Sequence, residues 1–154
     1  EAFYELEHRS ALRALCERIV RESGPIDAEH LYRQVADRHG FSRIGARIRQ
    51  TLDEAMGSTM VSSFSSDRKR RTFWPDGESP KECIDFRAGP INGQTRTWAE
   101  LPWPEQVGLA RQVLAEGHDD PQRAMLGVLG VRRLGSKLEK ETAEALRAAE
   151  NLSG

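Results

Sequence analysis

Nine residues of this chain are written twice. GFSRIGARI, from Gly40 to Ile48, returns ninety positions later as GVRRLGSKL, from Gly130 to Leu138. Gly40, Arg43 and Gly45 recur as Gly130, Arg133 and Gly135. Phe41, Ile44, Ala46, Arg47 and Ile48 meet Val131, Leu134, Ser136, Lys137 and Leu138, and only Ser42 against Arg132 changes type. Each copy follows an aspartate suited to capping a helix, Asp27 or Asp120, and a segment that Gly40 or Gly130 ends in left-handed backbone. The two spans differ by three residues, close to one helical turn, so the second helix shortens without rotating its buried face. The match continues with Glu54-Ala55-Met56 against Glu144-Ala145-Leu146. The repeat therefore predicts two helix-turn-helix units, with the nonapeptide as the turn and second helix of each.

The segments around the first copy complete one unit. Leu12, Leu15, Cys16, Ile19 and Val20 recur at helical spacing over residues 10–22, and Ser23-Gly24-Pro25 stops that helix. Leu31, Val35 and Ala36 form the stripe of the next helix. Ile44, Ile48, Leu52, Ala55 and Met56 form that of a third, which runs from a Ser42 cap to Met56. Gly45 falls inside this third helix, where glycine costs about 1 kcal/mol against alanine, so close approach of a neighbouring helix is expected there. After Gly57 the period changes. Thr59–Phe64 and Arg71–Trp74 read as two strands joined by the polar tip SSDRKR. Three helices and a two-stranded hairpin make a winged helix-turn-helix at residues 10–75, within a first unit of residues 1–77.

Residues 78–154 read as a linker strand at Glu82–Phe86 and a wingless three-helix unit resembling a degenerate copy of the first. Its helices run from Trp103 to Glu116, from Pro121 to Gly130, and from Arg132 or Arg133 to Leu152. Trp74 is placed where the wing meets the core, and Trp98 and Trp103 are expected to staple the halves together as one body. The fold class is α+β, mainly helical.

Composition narrows the function. The net charge is −1, so the chain as a whole is no basic polyanion binder, although 19 of its 23 basic residues are arginine, which suits phosphate. No apolar run reaches membrane-spanning length, and no signal peptide opens the chain. It begins EAFYELE without an initiator methionine, which suggests a piece of a longer protein. Two cysteines give no disulfide framework; Cys16 reads as a small core hydrophobe, and a reducing cytoplasm fits.

Local charge departs from the average. Opposite the Ile44–Ile48 stripe lie Arg43, Ala46, Arg47 and Gln50; the second copy holds Arg133, Ser136, Lys137 and Lys140 there. In a helix-turn-helix this outward face enters the major groove, where arginine and glutamine read bases or hold phosphate. At the hairpin tip, Asp67 precedes Arg68, Lys69, Arg70 and Arg71. From Gly40 to Trp74 seven basic residues (Arg43, Arg47, Arg49 and the four at the tip) stand against Asp53, Glu54 and Asp67, a local +4.

Chemistry is sparse by comparison. There is no phosphate-binding Gly-x-x-x-x-Gly-Lys loop, and His8, His30, His39 and His118 are too scattered for zinc. His118-Asp119-Asp120 before Pro121 reads as a helix start rather than a metal site. Asp85 and Lys81 are only weak candidates for nuclease chemistry. The fragment is expected to be non-enzymatic and to need no cofactor.

The strings IVRESGPIDAEHLYRQVADRHGFSRIGARI, RTFWPDG and TWAELPWPEQVGLARQVL, over about Ala11 to Leu138, resemble a domain of unknown function. That domain ends large bacterial proteins that carry a superfamily-one helicase core and often a restriction-endonuclease-like domain. The resemblance rests on Gly24–Ile26, Ser42–Ile48 and the pattern at Leu101–Glu105, none of them catalytic. It implies a DNA-processing setting, with the parent's other domains as partners, and assigns no binding residue. The expected role is an accessory module binding duplex DNA through Arg43, Arg47, Gln50, Arg68, Lys69, Arg70 and Arg71. The alternatives are a protein-interaction or dimerisation module, with the segment around Trp98 and Trp103 exposed, and single-strand guidance with Trp74 stacking on bases.

Overall fold

The computed structural model describes residues 6–41, 45–56, 60–91 and 95–153. The chain forms two compact units, Glu1–Pro80 and Lys81–Gly154. It is an α+β protein, mainly helical, with a small antiparallel sheet in the first unit.

In the first unit α1 (Leu6–Ser23), α2 (Ala28–Arg38) and α3 (Ala46–Met56) enclose a core. Leu12, Cys16, Ile19 and Val20 of α1 meet Leu31 and Val35 of α2 and Ile48, Leu52 and Met56 of α3, buried as their spacing predicts; Leu15 of the expected α1 stripe is only partly buried, and Tyr32, outside the expected α2 stripe, joins the core. Ile44, the first residue of the expected α3 stripe, lies outside the described residues, as do Ser42 and Arg43. Asp27 caps α2, its carboxylate accepting from the Glu29 and His30 N–H groups.

The sheet has three strands rather than two. β2 (Ser62–Phe64) and β3 (Arg71–Phe73) form the hairpin, and β1 (Ile26–Asp27) pairs antiparallel with the other side of β3. Ile26 stands opposite Phe73 and Asp27 opposite Thr72, so the residues that open α2 also dock the hairpin. Two residues are too short a stretch to show strand alternation, and their cap chemistry masked the pairing. Trp74 is buried, its Nε1 donating to Ser63 Oγ at 2.8 Å.

The second unit contains a 3-10 turn (Trp98–Glu100), α4 (Trp103–Glu116), α5 (Pro121–Leu129) and α6 (Ser136–Ser153). Trp98, Trp103, Val107, Leu109, Val113, Met125, Ala145 and Leu146 share its core, so both tryptophans expected as staples are core residues of this unit. Asp120 caps α5 and Pro121 opens it, as expected of the His118–Asp120 segment. Glu82–Phe86, expected as a strand, is none: the Ile84 N–H donates to the Pro104 carbonyl at 3.0 Å, which ties the segment to a helix instead of a neighbouring strand.

At its two ends, either side of residues 42–44, the repeated phrase is built alike in both copies. Gly40 (φ 78°) and Gly130 (φ 71°) are both left-handed. Each is followed by one bond back across the helix end, from the Phe41 N–H to the Ala36 carbonyl and from the Val131 N–H to the Leu126 carbonyl, both at 2.9 Å. Gly45 and Gly135 then stand just before α3 and α6, their carbonyls accepting the first helical bonds, from Arg49 N–H at 3.0 Å and Glu139 N–H at 2.8 Å. The expectation for Gly45 is thereby corrected. It lies outside the helix, it is exposed, and nothing comes within 4 Å of where a Cβ would sit. Glycine is tolerated at the cap, so no neighbour is needed to offset its helix penalty.

Candidate nucleic-acid interface

The hairpin tip is a built loop. The Ser65 N–H donates to the Arg70 carbonyl and the Arg68 N–H to the Ser65 carbonyl, both at 2.9 Å. The Asp67 carboxylate accepts from the Ser65 hydroxyl at 2.5 Å and from the Lys69 N–H at 3.0 Å, and Ser65 Oγ accepts from the Arg70 N–H at 3.1 Å. These bonds, the Ser65 hydroxyl first, hold the Asp67 carboxyl below its ordinary range. Arg68 takes left-handed backbone (φ 61°), unusual for a non-glycine residue.

The four consecutive cations are placed unequally. Arg68 and Lys69 are exposed, whereas Arg70 and Arg71 are half-buried. The Arg71 guanidinium lies 4.5 Å from the Phe73 ring centroid and 5.8 Å from that of Phe64; the Arg68 guanidinium lies 5.3 Å from Phe64. Arg70 acts electrostatically on Asp27. Burial pushes the Asp27 carboxyl up to about 7, against the hydrogen bonds from His30 and Glu29 and the Arg70 charge.

On α3 the sides separate as the period requires. Ile48, Thr51, Leu52, Ala55 and Met56 are buried, while Ala46, Arg47 and Gln50 are exposed. Gln50 Nε2 donates to Glu54 Oε1 at 3.2 Å, the intrahelical partner one turn on. In the second unit Arg133, Ser136, Lys137 and Lys140 are likewise exposed.

Several polar contacts were not visible in the pattern. Arg49 forms a bidentate pair with Glu29, at 2.9 and 2.6 Å, tying α3 to α2. The Tyr32 hydroxyl donates to the Asp53 carboxylate. In the second unit the fully buried Glu105 accepts from Arg87 and Arg96, its closest contacts at 2.6 Å. Glu105 had a signal, the lone charge among the mainly apolar residues 103–110, where a buried carboxylate demands a counter-ion. Phe64, 47% exposed beside the tip, had none, because strand alternation places it with buried Met60.

Cys16 is fully buried, and burial followed by the Glu17 charge pushes its thiol up to about 12, an inert core position. Among the described residues no helix is long and apolar enough to cross a membrane, and no group of three His, Cys, Asp or Glu could hold a metal ion. A family model described as "Protein of unknown function (DUF3320)" matches residues 1–50. No curated protein and no solved structure matches the chain.

Proposed function

We propose that the first unit is a winged helix-turn-helix that contacts duplex DNA on behalf of a larger helicase- or nuclease-type protein, with no chemistry of its own. The observation that carries this reading is the hairpin tip. Five residues, Ser65 and Asp67 to Arg70, are cross-bonded into one conformation that keeps Arg68 and Lys69 in solvent, within a chain of net charge −1. A braced cationic loop loses little freedom on meeting a phosphate. The outward side of α3 supplies Arg47 and Gln50 for the groove, and Arg43, outside the described residues, would extend it. A bacterial cytoplasm suits this role and the buried thiol of Cys16.

The interaction-module reading asks for an exposed aromatic segment around Trp98 and Trp103, and both are buried in the second core. Single-strand stacking by Trp74 needs a ring that is only 1% exposed. Duplex contact is therefore preferred. Fluorescence anisotropy of labelled duplex across a salt series tests it. Four or five phosphate contacts give a slope of log affinity against log salt of about −4. Lack of binding at low salt, or affinity indifferent to salt, overturns the reading.

A further inference from the structure

Phe64 ends β2 with its ring 47% exposed, although the hairpin's other two aromatics, Phe73 and Trp74, are buried. A single apolar side chain at a surface is ordinary; its setting is not. The register places Arg71 opposite Phe64, and the left-handed turn at Arg68 brings a second guanidinium to the same ring, at 5.8 and 5.3 Å from its centroid. The backbone bonds from Ser65 and the Asp67 bridge hold this arrangement. An aromatic ring that keeps 47% of its surface exposed, with two guanidiniums over it on a braced protrusion, matches a nucleobase and its flanking phosphates. The ring stacks on the base, which tolerates any sequence, while the guanidiniums take the charge.

We infer that Phe64 is a stacking platform for an unpaired nucleobase, so that the DNA preferred by this unit is duplex interrupted by unstacked bases. The inference rests on the duplex-binding reading and goes beyond it in naming the DNA structure. It also gives to Phe64 the stacking role that the single-strand alternative had placed on Trp74.

The test uses the full chain and two anisotropy probes, a dumbbell duplex closed at both ends and the same duplex with a short central bubble. The wild type is expected to prefer the bubble by about five- to tenfold, the lower range for stacking one base. Phe64→Ala removes that preference and leaves dumbbell affinity unchanged; Phe64→Trp keeps it. Reversing Arg68 and Arg70 to Glu weakens binding to both probes. A preference that survives Phe64→Ala, or a wild type that binds both probes equally, overturns the inference while the duplex reading stands. Failure to bind either probe at low salt sinks both. Circular dichroism checks that each variant is folded, as expected for the exposed Phe64 side chain.

Discussion

Gly108 of α4 lies against the Ile84 carbonyl: a Cβ on Gly108 would stand 1.7 Å from that oxygen and 2.8 Å from its carbon. This is the close backbone approach that the repeat suggested for Gly45, found at a different glycine. The segment around Ile84 is held to α4 at two points, by this contact and by the Ile84 N–H bond to the Pro104 carbonyl.

Gly108→Ala forces backbone apart, and its loss of packing exceeds the roughly 1 kcal/mol gained in helix propensity. We expect a net destabilisation of about 2 kcal/mol or more, measured by urea denaturation. Gly45→Ser, at an exposed cap with open space around it, should change stability by less than about 0.5 kcal/mol. Equal effects at the two sites would refute the contrast.

Glu105 holds two arginines in a buried site, and Arg96 is 4% exposed in its side chain. Glu105→Ala leaves those charges without their counter-ion and should cost about 3–5 kcal/mol. Burial alone would push this carboxyl up, but hydrogen bonds from Arg96 and Arg87 outweigh it and hold the pKa below the ordinary 4.5. A depressed folded pKa contributes stability that is present above 4.5 and lost as pH falls through the lower folded value. Acidification below about pH 4.5 should therefore loosen α4 and the Arg87–Arg96 segment, seen by hydrogen exchange.

Asp27 has the opposite sign. Its folded pKa is raised from 3.8 to about 7, so the folded first unit holds a proton that the unfolded chain has lost. Stability is fully present below 3.8 and falls as pH rises through about 7. Asp27→Asn keeps the cap without the charge and should flatten this dependence in the exchange rates of α2. An unchanged pH profile in the Asn variant would assign the dependence elsewhere.

The tip should act on DNA without regard to sequence. Reversing both Arg68 and Arg70 to Glu is expected to lower affinity alike for unrelated duplexes and to reduce the salt slope by about 2, one unit per lost phosphate contact. Gln50→Ala, on α3, should change relative affinities among sequences more than the slope. Salt slopes measured on two unrelated duplexes separate the effects.

Sequence alone determined what depends on local chemistry. Asp27 and Asp120 cap because a short acceptor before a helix meets unpaired N–H groups. Gly40 and Gly130 end helices because they adopt positive φ without strain, and Leu12, Cys16, Ile19, Leu31, Val35, Ile48 and Leu52 are buried because their spacing leaves one apolar side on each helix. Tertiary structure decided whatever depends on partners distant in the chain. The pairing of Ile26 with Phe73, the ion pairs of Glu29 with Arg49 and of Glu105 with Arg87 and Arg96, and the need for glycine at 108 are each fixed by a second segment. The fate of the four tip cations was decided there too. One charge run reads the same at every position, but the turn at Arg68 and the pleat at Arg71 send neighbouring side chains into different surroundings.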